Sequence, residues 1–325
     1  MVSKAIRMWD NYWKRGELHS CISASGDENQ REINDFWRGI YAGYDDDAVM
    51  LDIGTGNGLL PSLAAAYAND QAYGWEIHGV DLADINPARD VPDQRELLDQ
   101  INFQGRIAAE QLPFADGYFD LVTSQYAIEY SDMARSVPEV ARVLKPGGIF
   151  CAVLHSHHSL VVRQNGDKIA DLDFILRSGV LQKCKDMLIQ YRELDHSGNK
   201  GSRAKDIKYL IDSYVENIKN LDQRYPPGKA PEIILQVQQG LFDVIKYSAK
   251  YRLDENLQII DNAFESLEKQ KILLLNLAKS ALDDKQIEEL MESLSKIGFN
   301  EIKENKFYNG FERNLIGIYI TARKE

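Results

Sequence analysis

The chain has 325 residues, of which 44% are hydrophobic and 27% are charged, a composition typical of a globular protein with a buried core. Its 50 acidic and 38 basic residues give a net charge of −12, which disfavours nucleic acid as a partner because phosphate binding relies on lysine and arginine. Three scattered cysteines, no recognisable secretory signal and no apolar run long enough to span a bilayer predict a cytoplasmic protein with neither a disulfide framework nor a membrane partner.

Aromatic side chains at helical spacing in residues 1–47 predict an N-terminal helical arm. Residues 48–154 then alternate between strand-like and helix-like stretches. Compact apolar runs predict strands in this part, at 48–53, 77–82, 119–124 and 149–154. Because helical segments separate these runs, the pattern indicates βαβ units and a parallel sheet.

Between 155 and 282 the apolar positions switch to helical spacing, which predicts an all-helical block. From 283 to 325 the sequence returns to an amphipathic helix and two strand-like runs. Both flanks are needed to complete one sheet, so we interpret the block as an insertion after the fifth strand. Residues 155–285 hold 20 basic and 19 acidic residues. This balance suits a substrate cap or a dimerisation element, and hence a homodimer, better than a nucleic-acid interface.

The strongest local motif is L-D-I-G-T-G-N-G at residues 51–58, where a predicted strand enters a glycine-rich turn and then a helix. Such a turn lets backbone N–H groups and the positive end of the helix dipole approach an anionic group closely. The dinucleotide pattern G-x-G-x-x-G would need a glycine at Leu59, so the motif favours a carboxylate-bearing nucleoside over a nicotinamide nucleotide. Asp81, at the end of the second predicted strand, can accept hydrogen bonds from both hydroxyl groups of a ribose.

Further motifs follow in order: G-V-D at residues 79–81, L-P-F-A-D-G-Y-F-D-L-V, Y-A-I-E-Y and V-L-K-P-G-G. Together with the glycine turn, this set resembles the class I S-adenosylmethionine-dependent methyltransferases over residues 48–154 and 283–325. The resemblance implies a Rossmann-like α/β fold with a doubly wound, mostly parallel seven-stranded sheet. It also implies S-adenosyl-L-methionine as cofactor and S-adenosyl-L-homocysteine as product. The N-terminal arm and the insertion lie outside the resemblance.

The resemblance also implies roles for individual residues. The residues expected to hold the methionine part of the cofactor are Asp52, Gly54, Gly56 and Gly58. Asp81 is expected to bind the ribose, with Leu82 beside the adenine. The family often has Asp-Ala-Glu before Leu-Pro-Phe, whereas this chain has two alanines before Glu110. Adenine recognition is therefore expected from the backbone, Glu110 or Gln111. The residues expected to border both cofactor and substrate are Ser124, Gln125 and Tyr126.

Three of the six histidines, His155, His157 and His158, cluster directly after the predicted strand at 149–154, at the sheet edge where doubly wound sheets bind ligands. A neutral histidine there can take a proton from an oxygen or nitrogen nucleophile, so the catalytic candidates are His155, His157 and Tyr126. A polar loop at the root of the insertion is the alternative. No metal site is predicted, because no acidic or cysteine ligand accompanies the cluster at ligand spacing. The candidates for contact with substrate or for a lid are Tyr12, Trp13, His19, Tyr130 and His158.

These observations favour methyl transfer to a small or medium organic acceptor through an oxygen, nitrogen or carbon nucleophile. The sulfonium already activates the methyl group, so the protein mainly has to align the nucleophile with it. Two alternatives stay open: a protein acceptor, and a non-catalytic cofactor-binding or scaffold protein. The expected partner is a small molecule.

Overall fold

The structure is a computed structural model that describes residues 4–18, 22–196, 200–308 and 313–325. Contacts divide the chain into two compact units, Met1–Gln164 with Asn276–Glu325, and Asn165–Leu275. The second unit lies within the range 155–282 interpreted above as an insertion, and its role as cap or dimerisation element stays a prediction. Within the described ranges, no helix is both long and apolar enough to cross a membrane.

The first unit contains a seven-stranded sheet with the order β3-β2-β1-β4-β5-β7-β6. The strands are β1 (Val49–Ile53), β2 (Glu76–Asp81), β3 (Asn102–Gly105), β4 (Phe119–Gln125), β5 (Leu144–Leu154), β6 (Phe299–Tyr308) and β7 (Leu315–Lys324). Strands β1 to β5 pair in parallel, whereas β7 pairs antiparallel with both β5 and β6. The predicted seven-stranded, mostly parallel sheet is therefore confirmed.

Two strands differ from the sequence expectation. β3 was not among the predicted runs, because Asn102–Gly105 is a short edge strand without an apolar run and none of its residues is buried. β5 begins at Leu144 rather than at 149, because Leu144 pairs with Phe119 before the register shifts. The sequence Pro-Gly-Gly at 146–148 is typical of a turn, and here it lies inside the irregular part of the strand.

Helices of the first unit flank the sheet. They are α1 (Lys4–Trp13), α2 (Ile22–Tyr41), α3 (Leu59–Gln71), α4 (Pro87–Asp90), α5 (Arg95–Leu98), α6 (Met133–Val143) and α12 (Asp284–Lys296). Five helices lie wholly or mostly in the second unit: α7 (Leu160–Ser178), α8 (Val180–His196), α9 (Lys200–Lys219), α10 (Glu232–Tyr247) and α11 (Leu253–Ser280). The first turn of α7 and the last turn of α11 belong to the first unit.

Apolar side chains form a separate cluster on each face of the sheet. Leu51 and Val122 pack with α6 and α12 on one face, and Met50 and Leu121 pack with α2 and α3 on the other. Successive residues of a strand point to opposite faces, so a central strand covered on both sides reads as one apolar run. This is why β1 and β4 were recognisable in the sequence.

The second unit has its own helical core. The stripe of Val180, Cys184 and Leu188 on α8 is buried, and so are Tyr214 and Ile218 on α9. The Tyr214 hydroxyl donates a hydrogen bond to the Val180 carbonyl over 2.7 Å, which satisfies the polar end of an otherwise apolar contact. A core of this kind satisfies the requirement that apolar helix stripes be buried.

Candidate active site

A cavity of about 680 Å³ opens at the carboxyl edge of the sheet in the first unit, within the size range of small-molecule sites. Its glycine-turn side is formed at the ends of β1 and β2 and after β3, by residues that include Asp52, Gly54 and Asp81. Its histidine side is formed after β4 and β5 and by β7, with residues that include Tyr126 and His155. The described lining residues all belong to the first unit.

The glycine turn adopts backbone conformations that require glycine. Gly54, Gly56 and Gly58 have φ values of 71°, 54° and 87°, in the left-handed region. A Cβ atom on Gly54 would lie 2.3 Å from the Cβ of Ala127, and one on Gly56 would lie 2.4 Å from the Trp13 ring. Gly54 lines the cavity, whereas Gly56 and Gly58 shape the turn from behind the lining.

Asp81 ties the end of β2 to this turn. Its Oδ2 atom accepts a hydrogen bond from the Gly56 N–H over 2.8 Å, and its Oδ1 atom accepts one from the Ala83 N–H over 2.7 Å. Burial raises the pKa of Asp81, and the nearby charge of Asp10 raises it further, while the two backbone hydrogen bonds act in the opposite direction. The carboxyl group lines the cavity in a fixed orientation.

Asp52 supplies a second carboxyl group on the same side, and it is buried, with 5% of its surface exposed. Its Oδ1 atom accepts a hydrogen bond from the Thr123 hydroxyl over 2.9 Å. Burial raises the pKa of Asp52 to about 7, against hydrogen bonds that lower it. Among the described lining residues, Lys279 alone carries a permanent positive charge, and it lies on α11 on the histidine side of the cavity. Buried carboxyl groups without a cationic partner favour a cationic ligand.

The segments after β2 and β3 contribute less to the cavity than the sequence suggested. Leu82 lines the cavity and is 45% exposed. Glu110 also lines it, and its Oε1 atom accepts a hydrogen bond from the Asp132 N–H over 2.8 Å. Gln111 is exposed and lies outside the lining, because the chain turns away from the cavity after Glu110. Of the two adenine-side candidates, only Glu110 is therefore available.

The end of β4 brings three predicted residues to different positions. Ser124 is fully buried behind the lining, where its hydroxyl donates to the Ile53 carbonyl over 2.9 Å. Gln125 lines the cavity, and its side-chain oxygen accepts a hydrogen bond from the Trp37 indole N–H over 2.6 Å. Ser124 thus links strands, whereas Gln125 is held at the cavity wall.

Tyr126 lines the cavity in an unusual backbone conformation. Its φ of 52° lies in the left-handed region, which is uncommon for a bulky residue and is concentrated at functional sites. Its N–H donates to the Val153 carbonyl over 2.7 Å, and its hydroxyl donates to the Ile316 carbonyl over 3.2 Å. The ring is therefore held at both ends.

His155 and Glu129 form a buried pair beside Tyr126. The Glu129 Oε1 atom lies 2.7 Å from His155 Nδ1 and also accepts a hydrogen bond from the His155 backbone N–H over 3.0 Å. Both residues line the cavity and are buried, with His155 only 2% exposed. The His155 ring centroid lies 4.4 Å from that of Tyr126. A carboxylate on Nδ1 holds the imidazole in one orientation and leaves Nε2 as its basic atom.

The other two histidines of the cluster are placed elsewhere. His157 and His158 are exposed and lie outside the lining, with the His157 N–H donating to the Leu282 carbonyl. His158 Nε2 lies 3.4 Å from the Asp284 carboxylate. The short pairing of Ser156 with Leu282 carries the chain away from the sheet edge directly after His155. This placement argues against the catalytic role expected for His157 and the substrate contact expected for His158.

The N-terminal helix α1 brings aromatic side chains to the cavity. Trp9 and Trp13 line it with their rings stacked 5.9 Å apart, and Trp9 meets the Tyr130 ring edge-on at 6.2 Å. Tyr130 also lines the cavity, whereas Tyr12 lies outside the lining. His19, the remaining candidate of the arm, lies outside the described residues. Sequence analysis did not single out Trp9, although it belongs to the same aromatic pattern.

Buried polar contacts attach α1 to the glycine turn and its neighbours. The Asn57 amide donates to the carbonyls of Trp13 and Glu17, each over 2.8 Å. Asp10, which is 7% exposed, accepts hydrogen bonds from the Asp84 N–H and from the Arg106 guanidinium, both over 2.8 Å. The arm therefore forms one wall of the cavity.

Further lining residues differ in how clearly the sequence marks them. Thr55 lies inside the recognised glycine motif, and Glu129 lies inside Y-A-I-E-Y, so their motifs pointed towards the site. Lys279 and Ser280 come from the end of a helix interpreted as part of the insertion. No local pattern marks that turn of helix, because only the fold brings it to the cavity.

Comparisons with known proteins show what this domain is similar to. Residues 51–152 match the family described as "Methyltransferase domain". The chain is 28% identical over 191 residues to a probable chloroplastic tocopherol O-methyltransferase from Oryza sativa, covering 54% of this chain and 51% of that protein. It is 38% identical over 108 residues to the uncharacterized methyltransferase YcgJ from Bacillus subtilis, covering 33% and 40%. Residues 51–152 are therefore a methyltransferase domain of the kind found in the class I S-adenosylmethionine-dependent methyltransferases.

Two further proteins are similar to part of the chain. A ubiquinone/menaquinone biosynthesis C-methyltransferase from Vibrio campbellii is 32% identical over 105 residues, covering 30% of this chain and 38% of that protein. The solved geranyl diphosphate C-methyltransferase from Streptomyces coelicolor aligns over 48% of this chain and 67% of its own, with 17% identity and a TM-score of 0.35. The chain spans about half or less of the length of these curated relatives, so the matches describe the methyltransferase domain rather than the whole protein.

The residues of the methyltransferase domain fit S-adenosylmethionine. This cofactor carries a sulfonium, an ammonium and a carboxylate, so its net charge is positive. The pKa values of buried Asp52 and half-buried Asp81 are raised, and a cation would stabilise both side chains as carboxylates. The glycine turn leaves backbone open to the cavity beside them. The carboxyl groups and the open backbone of the glycine turn thus match the charged groups of the cofactor.

Proposed function

We propose that the protein transfers a methyl group from S-adenosylmethionine to a small or medium organic acceptor bound in the same cavity. The observation that carries this proposal is the continuity of the lining. One cavity joins Asp52, Gly54 and Asp81 to Tyr126 and His155. A cofactor subsite and a proton-accepting group would therefore share one cavity.

Roles for the cofactor residues follow from their positions. Asp52 would pair with the ammonium group of the methionine part, because it is the buried carboxyl group at the end of β1 beside the glycine turn. Asp81 would accept hydrogen bonds from the ribose hydroxyl groups, as expected for an acid at the end of the second strand. Leu82 and Glu110 would border the adenine, since both line the cavity after Asp81. Gln125 would border the cofactor and the acceptor.

The remaining residues would act on the acceptor. When bound, S-adenosylmethionine supplies an electrophilic methyl group at its sulfonium. His155 would take the proton from an oxygen or nitrogen nucleophile at its Nε2 atom, because Glu129 holds its Nδ1 atom. Glu129 is then a positioning residue. Tyr126 would form a wall rather than accept the proton, because its hydroxyl donates to the Ile316 carbonyl.

The aromatic wall would keep water out of the site. Trp9 and Trp13 lie on α1, which Asn57 and Asp10 attach to the rest of the domain. Excluding water strengthens electrostatic interactions within the cavity and prevents side reactions. The lid role predicted for Trp13 would thus belong to the turn of α1 that carries both Trp9 and Trp13.

Small acceptors are also indicated by the names of two relatives, a tocopherol O-methyltransferase and a ubiquinone/menaquinone biosynthesis C-methyltransferase. Apolar side chains such as Met133, Leu282 and Ile316 line the cavity and suit an organic acceptor of this kind. A protein acceptor and a non-catalytic scaffold are the competing functions.

Calorimetry with S-adenosylmethionine and S-adenosylhomocysteine tests the cofactor site. Asp81→Ala should weaken binding by about 1.5–3 kcal/mol, the typical cost of losing a hydrogen bond to a charged group. Asp70→Ala is the matched control, because Asp70 is an exposed acid on α3 that pairs with Arg38. Equal loss in both variants, or no binding by the wild type, would refute the assignment.

Transfer of a radiolabelled methyl group distinguishes the acceptor classes. The protein is incubated with labelled S-adenosylmethionine and a cell extract, which is then separated into small molecules, protein and RNA. Label in the small-molecule fraction, lost on Asp81→Ala, is the expected outcome. Label in protein would favour the protein methyltransferase. Cofactor binding with no label in any fraction would favour the scaffold.

A further inference from the structure

On the histidine side of the cavity, the accessible charge is positive. Glu129 is the one acid among the described lining residues on that side, and its side chain has no exposed surface and is paired with His155. Lys279 lines the same side and is exposed. The other lining acids, Asp52, Asp81 and Glu110, belong to the glycine-turn side, where the bound cofactor would lie between them and the acceptor. The charge available to an acceptor is therefore that of Lys279.

Lys279 lies among polar groups that also line the cavity. Asn276 and Ser280 are four residues apart on α11, so they share one face of the helix with Lys279 between them. Lys279 makes no ion pair within 4.0 Å with any residue that the structure describes. A lysine in the last turn of a helix interacts favourably with the negative end of the helix dipole, even without a ligand. That preference does not explain why an amide and a hydroxyl flank it on the cavity wall.

A helix N-terminus adds positive potential to the same region. Val161, in the first turn of α7, lines the cavity, and that turn contains no acidic residue. The unpaired N–H groups of a first turn favour an anion. Helix α12 also begins nearby, with Gln286 of its first turn in the lining, but the Asp283 carboxylate accepts the Gln286 N–H and Asp284 adds a second acid. At α7 the neutral Ser159 hydroxyl accepts the Val162 N–H over 3.4 Å. Of the two helices, α7 therefore has the more positive N-terminus.

We propose that the acceptor is an amphipathic anion, and that Lys279, with Ser280 and Asn276, binds its carboxylate or phosphate group. The apolar body of the acceptor would lie against Met133, Val161 and Leu282, which line the cavity around this cluster. This inference rests on the proposed function, since it names the class of acceptor for the same site. Lys279 is thereby assigned as the residue that selects the acceptor.

Binding of matched naphthalene probes tests the selection without knowledge of the natural acceptor. The probes are 2-naphthoate, 2-naphthyl phosphate and the neutral 2-naphthamide, titrated into the full chain with saturating S-adenosylhomocysteine. Fluorescence of Trp9 and Trp13 reports binding, because both line the cavity. We expect at least one anion to bind about tenfold more tightly than the amide, which corresponds to about 1.4 kcal/mol. The better anion identifies the group as carboxylate or phosphate.

Variants distinguish a direct contact of Lys279 with the anion from a general effect of positive charge on the protein. Lys279→Met should abolish the preference for the anion without changing the affinity for the amide, and Lys279→Arg should keep most of it. Lys285→Met is the matched control, because Lys285 is an exposed lysine of α12 that lies outside the lining and pairs with Glu289 over 2.9 Å. It should leave every affinity unchanged.

Several outcomes would overturn the inference: no saturable binding of either anion, equal affinity for anion and amide, or the same loss in both methionine variants. Binding of S-adenosylhomocysteine is measured separately by calorimetry in each variant. If that ligand fails to bind the wild type, the proposed function itself is wrong. If it binds equally in all variants and the anion preference is absent, only the acceptor class is wrong.

Discussion

The two sides of the cavity are built in different ways. On the glycine-turn side, most lining residues come from short contiguous runs at the ends of β1 and β2, such as 52–55 and 81–82. On the histidine side, one run at 125–131 is joined by residues from segments far apart in the sequence, such as His155, Lys279 and Ile316. A ligand shared across a superfamily can be recognised by a local motif. A ligand that differs between members is bound by residues that only the fold brings together.

The largest effect should come from the glycine turn. Gly54→Val would place a branched side chain at φ 71°, where a Cβ atom alone lies 2.3 Å from Ala127. We expect loss of S-adenosylhomocysteine binding by more than about 100-fold, together with destabilisation above about 4 kcal/mol, as is typical of strain combined with overpacking. Calorimetry and thermal unfolding measure the two effects.

Gly39→Val is the matched control, because a Cβ atom on Gly39 of α2 would meet nothing within 4 Å apart from the neighbouring backbone of its own helix. It should keep cofactor binding and lose only the small amount expected for helix propensity. If Gly54→Val binds the cofactor like the wild type, the glycine turn does not hold it, and the contrast between the two sides fails.

On the histidine side, substitution should affect turnover rather than cofactor binding. His155→Gln should lower kcat by about 10²–10⁴-fold, the usual contribution of general acid–base catalysis, with S-adenosylhomocysteine affinity unchanged. Glu129→Gln should lower kcat less and move the acid limb of the pH–rate profile to lower pH, because a carboxylate no longer stabilises the imidazolium. Steady-state kinetics on the labelled acceptor measure both.

A merely structural role for the Glu129–His155 pair predicts something else. Both variants would then lose thermal stability and cofactor affinity together, with an unshifted pH profile. His157→Gln is the control, because His157 is exposed outside the lining. A loss of turnover in that variant equal to that of His155→Gln would restore the sequence expectation for His157.

A smaller effect is expected from the pH dependence of cofactor binding. The raised pKa of about 7 means that Asp52 holds a proton in the free folded protein below that pH. Pairing with the ammonium group requires the carboxylate, so binding expels this proton, and affinity should be about tenfold higher at pH 8 than at pH 6. Calorimetry in buffers of different ionisation enthalpy detects the released proton.

The same shift has the opposite sign for the free protein. A raised pKa favours the protonated folded state, so the contribution of Asp52 to stability is present at low pH and is lost as the pH rises through about 7. Asp52→Asn should flatten both profiles. A cofactor affinity that is independent of pH between 6 and 8 in the wild type would show that Asp52 does not pair with the cofactor.

Much of the fold follows from local patterns. The runs at β1 and β4 are apolar because these strands are covered on both faces, so they were recognisable without a structure. The edge strand β3 escaped notice because none of its residues is buried. The irregular start of β5 escaped notice because Pro-Gly-Gly is typical of a turn, and only pairing with Phe119 makes it part of a strand.

By itself the sequence determined the glycine turn, the position of Asp81 at the end of a strand, most of the strands and helices, and the resemblance to methyltransferases. These features depend on residues close together in the chain, where backbone conformation and hydrophobic periodicity are local properties. Only the tertiary structure decided that His155 lines the cavity while His157 and His158 do not, and that Trp9 and Lys279 join it. Which side chains meet at one surface depends on how separate elements pack, and packing is a property of the whole domain.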